Sequence, residues 1–251
     1  MKNNFKYDYG EVIEATFLSR PNRFIREIEI NGEKEIAHVK NTGRLEELLV
    51  NNRTCFVKKA KNPNRKTRFD LISVKYKDIY VNLDSQITNT CVEGLFKNNL
   101  IEGYENIDEI KREVVVGNSR LDLKVIKDGI PTYIEVKQTN LVEDYMAMFP
   151  DSKTIRGKRH IEELIELKKK NINSMLIFLI VREDVNKFRP RFERDIEFSK
   201  IVYEAIDYGV DVRAYNMIAG PNFLEYNKRI KIMDKNEFFY IFNEYNKKEK
   251  I

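Results

Sequence analysis

Three pieces of one stretch decide the fold: Ser119-Arg120-Leu121-Asp122-Leu123, the turn Asp128-Gly129, and Tyr133-Ile134-Glu135-Val136-Lys137. In both flanking runs apolar residues (Leu121, Leu123, Val125; Ile134, Val136) alternate with polar ones, and Asp-Gly between such runs is a strong hairpin signal. With Asp128 and Gly129 as the two loop residues, Lys127 pairs with Ile130, and the register carries Asp122 directly opposite Glu135. Opposed residues of an antiparallel pair have Cβ atoms roughly 4.5–5.5 Å apart. Residues two apart on a strand share a face, so Lys137 stands beside Glu135. Like charges facing one another destabilise a sheet. Lys137 neutralises only part of the pair, and a divalent cation ligated by both carboxylates is the natural remainder. The bland alternative is a solvated hairpin face.

This spacing resembles the Asp, then Glu-x-Lys, signature of the PD-(D/E)XK nucleases. The resemblance implies that Asp122 and Glu135 hold Mg2+, and that Lys137 helps activate or position the attacking water. Carboxylate oxygens suit the hard, six-coordinate Mg2+, or Mn2+, rather than zinc.

A chain of 251 residues accommodates one large domain or two smaller ones. Hydrophobic residues make up 42% and charged residues 34%, a globular composition. No apolar run approaches the roughly 20 residues of a membrane helix, and Met1-Lys2-Asn3-Asn4 leads into polar sequence without an apolar signal core. A cytoplasmic protein without a membrane partner is expected. Cys55 and Cys91 lie far apart without metal-binding spacing, so both read as reduced and partly buried. The net charge of +5 says little by itself. Local clusters say more: Lys58, Lys59, Lys61, Arg65, Lys66 and Arg68 crowd one segment, and Lys153, Arg156, Lys158, Arg159 and His160 another. Both suit phosphate contacts, or simply solvated surface.

From Tyr9 to Leu83 the chain reads as short strands: Val12 to Leu18, a hairpin of Phe24 to Ile30 and Glu35 to Val39 across Asn31-Gly32, then Thr54 to Lys59 and Arg68 to Lys75. Five short strands suit an OB-like β-barrel, a fold that binds nucleic acid through basic, aromatic-bearing faces. At Asp84-Ser85 the period changes, with either residue placed to cap a helix burying Ile87, Cys91, Val92, Leu95 and Phe96. The expected domains are therefore 1–83, OB-like, and 84–251, mixed α/β with a C-terminal extension, giving an α+β protein overall. Glu93 lies off the apolar stripe, one helical turn from Lys97. The nuclease resemblance offers it as a third carboxylate for the metal. Arg156-Gly157-Lys158-Arg159-His160 opens a helix to about Lys170, and its positive N-terminus works against the helix dipole unless a phosphate arrives. Ser174 to Val181 reads as a strand buried on both faces, Phe198 to Tyr208 as a helix, and Val210 to Tyr215 as a strand.

Several separated motifs in order, from His38-Val39-Lys40-Asn41-Thr42-Gly43 and Asn62-Pro63-Asn64-Arg65-Lys66 to Arg112-Glu113-Val114, the hairpin, Phe149-Pro150-Asp151 and Thr154-Ile155-Arg156-Gly157, resemble the sugar fermentation stimulation proteins from about Tyr9 to about Ala219. Departures include Lys40 where proline is usual and Gln138-Thr139 after the Glu-x-Lys. The tail from Phe223, rich in aromatic residues, exceeds the family core and is expected to form an extra helix packed on the domain. The resemblance implies an OB-type domain followed by a PD-(D/E)XK nuclease-like domain, described both as DNA-binding and as nuclease-like.

The leading expectation is Mg2+-dependent hydrolysis of DNA or RNA phosphodiesters. Asp122, Glu135 and Glu93 would be ligands. Arg120, opposite Lys137 in the same register, and Arg156 and Arg159 would contact phosphate, with Lys58, Lys59, Arg65, Lys66 and Arg68 as further nucleic-acid contacts. His160, His38 and Glu113 are read as supporting or structural. The rival is a non-catalytic DNA-binding regulator of sugar use on a nuclease scaffold. A sugar enzyme ranks last, since no glycine-rich phosphate loop is present.

Overall fold

The computed structural model describes residues 3–41, 43–62, 64–117 and 119–248, so Thr42 and Pro63 of the sequence motifs lie outside the described residues. The chain forms two compact units. One comprises Met1–Ile107, Leu179–Asp184 and Asn216–Lys228, the other Asp108–Phe178, Val185–Tyr215 and Arg229–Ile251. Residues 84–107, which follow the sequence boundary at Leu83, belong to the first unit.

In the first unit β1 (Lys6–Asp8) precedes β2 (Ile13–Ser19), β3 (Ile25–Ile30), β4 (Glu33–His38), β5 (Arg53–Lys59), β6 (Phe69–Tyr76) and β7 (Ile79–Asn82). The β3–β4 turn has Asn31 and Gly32 at φ 52° and 82°, the left-handed pair that a two-residue hairpin loop requires. The strand order β4-β3-β2-β5-β6-β7 closes on itself where β4 pairs parallel to β6 through Ala37↔Phe69 and His38↔Asp70. β2 to β6 thus form the closed five-stranded OB barrel. Its core gathers Ala15, Phe17, Ile28, Val57, Leu71 and Val74, and burial of side chains of this size stabilises by roughly 1.5–3 kcal/mol each. Asp84 caps the following 3-10 turn by accepting the Gln86 N–H at 3.0 Å. The helix α1 (Thr88–Lys97) then buries Cys91, Val92, Leu95 and Phe96. Its Gly94 is held small by the Phe5 ring, into which any Cβ would collide.

The second unit contains β8 (Glu109–Val116), β9 (Ser119–Lys127), β10 (Ile130–Thr139), β11 (Leu141–Glu143), β12 (Met146–Phe149) and α2 (Ile155–Lys169). Next come β13 (Asn173–Ile180), β14 (Lys187–Pro190), α3 (Ile196–Asp207), β15 (Asp211–Ala219), β16 (Phe223–Ile232) and α4 (Lys235–Lys248). The strand order is β11-β12-β14-β16-β15-β13-β10-β9-β8, with β13, β15 and β16 contributing residues to both units. β13 is the run read as doubly buried, and Met175 to Ile180 are all inaccessible.

The tail corrects the sequence reading. Phe223 to Ile232 form an interior strand, and only the residues beyond it form the expected helix. Only Leu224 and Ile230 of β16 are buried, so the strand carries too little apolar periodicity to announce itself. α4 packs Phe238 against Phe192, Tyr203 and Met233.

Candidate functional site

The site begins with the hairpin turn. Asp128 and Gly129 adopt φ 51° and 74°, and the pairs run Lys127↔Ile130 through Leu123↔Ile134, the register expected from sequence. One step further on, the Asp122 carboxylate reaches the neighbouring strand, where its Oδ2 accepts the Val136 N–H at 2.8 Å. Leu121, Leu123, Val125 and Ile134 are fully buried on one face. Asp122, Glu135 and Lys137 fall on the other by alternation.

On that face Glu135 is itself buried, at 2% exposure. Its Oε1 takes two donors, the Lys137 ammonium and the His160 imidazole Nδ1, while its Oε2 is buried without a partner. Burial alone would raise the Glu135 pKa. The His160 hydrogen bond and the Lys137 charge outweigh it and hold the carboxyl below its ordinary range. A buried carboxylate oxygen without a hydrogen bond is costly and is the kind of atom a metal ion satisfies.

His160 is carried by α2. Thr154 caps that helix by accepting the Gly157 N–H at 3.0 Å, and Asp195 Oδ2 in turn accepts the Thr154 N–H at 2.9 Å. The positive first turn, which opposes its own dipole, is partly explained by its partners: Arg156 Nε donates to His160 Nε2 at 3.3 Å, and Lys158 reaches Glu197 at 3.2 Å. His160 was undervalued in the sequence because its partner lies on a strand 25 residues away. The available signal was its placement one helical turn after Arg156.

Arg120 lies 3.4 Å from Glu113. Glu113 falls between the pairs Arg112↔Leu123 and Val114↔Leu121, the slot facing Asp122, and has φ 54°, an unusual conformation for a strand residue. Glu93, in the first unit, has its carboxylate 2.5 Å from Lys97. Among the described residues no group of three His, Cys, Asp or Glu side chains is gathered as a metal cage. Arg156 and Arg159 are exposed, as are Lys59 and Lys66 on the barrel. Arg68 pairs with Glu35, and Lys58 donates to the Tyr9 carbonyl. Arg65 is bound up in a network, 2.5 Å from Asp70, which also holds Lys40 at 3.0 Å and faces His38 at 3.8 Å. Burial would raise the Asp70 pKa, but the hydrogen bonds from Arg65 and Lys40 hold it low.

An OB barrel followed in sequence by a mixed α/β domain, whose acidic pair is backed by a lysine and a buried histidine, defines the class. The family model for the SfsA N-terminal OB domain matches residues 18–83, and that for the sugar fermentation stimulation protein RE domain matches residues 86–223. The chain belongs to the sugar fermentation stimulation protein family. A sugar fermentation stimulation protein homolog of Clostridium kluyveri is 39% identical over 225 residues, covering 89% of this chain and 98% of that protein. A homolog from Clostridium perfringens strain 13 is 44% identical over 210 residues, covering 83% and 91%. The solved structure of Pyrococcus furiosus SfsA in complex with Ca2+ matches with a TM-score of 0.85 at 28% identity, over 93% of this chain and all of that one.

Proposed function

We propose that the chain is a metal-dependent nuclease that hydrolyses phosphodiester bonds of DNA or RNA. The observation that carries this reading is the buried, unpartnered Oε2 of Glu135, on the hairpin face that Asp122 shares by alternation. Both donors are hard oxygens, which suit Mg2+ or Mn2+, and the Pyrococcus furiosus relative was solved with Ca2+, another oxygen-seeking cation. Asp122 and Glu135 would hold the ion, with the Val136 carbonyl as a further ligand. When bound, the ion polarises the phosphate and lowers the pKa of its water. Lys137 keeps Glu135 ionised through their ion pair and is the group that orients the attacking water. Arg156 and Arg159, exposed at the start of α2, are the phosphate contacts, with Arg120 beside the hairpin. The barrel contributes Lys59 and Lys66, both exposed.

One observation favours the rival, a DNA-binding regulator without catalysis: no three-residue metal cage is present among the described residues. Labelled single- and double-stranded DNA and RNA, incubated with the protein in Mg2+, Mn2+ or chelator, separate the two. Metal-dependent cleavage lost in Asp122→Ala and Glu135→Ala, with binding retained, is the outcome expected of the nuclease. Tight binding without cleavage in any metal, unchanged by either substitution, leaves the regulator.

A further inference from the structure

We propose that His160 is the positioning residue of Glu135: it commits its Nδ1–H to Oε1, so that Oε2 alone is presented to the cation, and Arg156 holds it in that state. The inference rests on the metal-binding reading of Asp122 and Glu135 and gives that site a part the acidic motif does not contain.

An arginine Nε–H only donates, so the imidazole Nε2 that receives it from Arg156 at 3.3 Å is an acceptor. In a neutral imidazole the proton then sits on Nδ1, the atom that faces Glu135 Oε1. Lys137 converges on the same oxygen. With Oε1 taken twice and Oε2 left bare, the carboxylate is turned toward a single mode of ligation. His160 is 4% exposed, so water does not substitute for its proton. Groups that hydrogen-bond a metal-ligating side chain in this way typically alter metal affinity by about 10–100-fold. His160 touches no reacting atom in this scheme. It acts through Glu135.

The chain has only two histidines, so long-range 15N–1H spectra of histidine-labelled protein report the His160 tautomer directly, without metal or substrate. The Nδ1–H form is expected. Mn2+ binding by titration calorimetry is then measured on the full chain for the wild type, His160→Gln and His160→Asn. The asparagine amide can stand where Nδ1 stood, whereas the glutamine amide falls nearer Nε2. Mn2+ affinity is expected to fall roughly tenfold in the glutamine variant and to return close to wild type in the asparagine variant. Thermal melts compare the folded state of both, and two polar variants of different reach keep the comparison usable if one of them unfolds. Equal Mn2+ affinity in all three proteins overturns the inference, and so does an Nε2–H tautomer in a chain that binds Mn2+, with the nuclease reading left intact. A wild type that binds no Mn2+ while showing the Nδ1–H tautomer instead overturns the metal reading itself, and His160's part in preparing a ligand falls with it.

Discussion

At the scale of a single residue, Glu135 is a buried carboxylate with two donors on one oxygen and none on the other. Its side chain is 3% exposed and that of Lys137 14%, so the pair is shielded from the screening that makes surface ion pairs weak. Removing one partner of a buried pair leaves an uncompensated charge, which costs about 3–5 kcal/mol. Lys137→Met is expected at the lower end, about 3 kcal/mol, because His160 still donates to the carboxylate. In a Glu135→Gln background there is no charge left to strand, and the cost of Lys137→Met should shrink by more than about 1 kcal/mol. Urea unfolding of the four proteins of this cycle checks it, and additive losses would show that the two side chains do not stabilise one another. The placement of Asp122, Glu135 and Lys137 on one hairpin was legible in the sequence because Asp128-Gly129 fixes the register locally. Its environment was not. The burial of Glu135 and its bond to His160 come from a helix that closes over the hairpin, and no local pattern encodes that packing.

At the scale of elements, α2 depends on its first turn. A Cβ on Gly157 would lie 2.7 Å from Thr154 Oγ1, 2.8 Å from Thr154 Cγ2 and 3.2 Å from Phe198 Cε2. Thr154 is the N-cap and Asp195 grips its backbone while capping α3 through Phe198 N at 3.0 Å, so the threonine has little room to yield. Gly157→Ala gains up to about 1 kcal/mol of helix propensity but loses the cap and overpacks, together about 2–4 kcal/mol. A net loss of about 1–3 kcal/mol is expected, read as a fall in Tm of several degrees. In a Thr154→Ala background much of the clash is gone, and the same substitution should become close to neutral. An equal loss in both backgrounds would remove the cap from the explanation. Most elements were readable from their period: β13 from its apolar run, α3 and β15 within a few residues, and the barrel strands from alternation and turn residues. β16 was missed because only Leu224 and Ile230 of it are buried, and so polar a segment leaves little periodic trace even beside its hairpin neighbour β15.

At the scale of the whole molecule, the sequence boundary and the compact units have different meanings. The sequence boundary is drawn at Leu83, and the two family models match residues 18–83 and 86–223. The first compact unit nevertheless draws on three separate chain segments. Its barrel core is self-contained, with every buried member between Ala15 and Leu83. Its remaining parts are not: β1 pairs with β16 through Lys6↔Glu225 and Tyr7↔Leu224, Tyr9 N donates to Asn222 O at 2.8 Å, and Phe5 fills the space above Gly94. A fragment of residues 1–83 is therefore expected to fold, with dispersed amide resonances and a cooperative melt, though less stably than in the intact chain because Ser73 and Asn82 lose their bonds to Pro221 and Val181. A fragment of residues 84–251 lacks β1 and Phe5, leaving the edge of β16 unpaired and the apolar surface around Gly94 open, a combination that promotes association. Size-exclusion chromatography and hydrogen exchange on the two fragments decide the matter. If residues 84–251 form a monomer as protected as the full chain, β1 and Phe5 are ornaments; if they aggregate while residues 1–83 fold, the N-terminal strand is part of the framework that carries the mixed α/β domain.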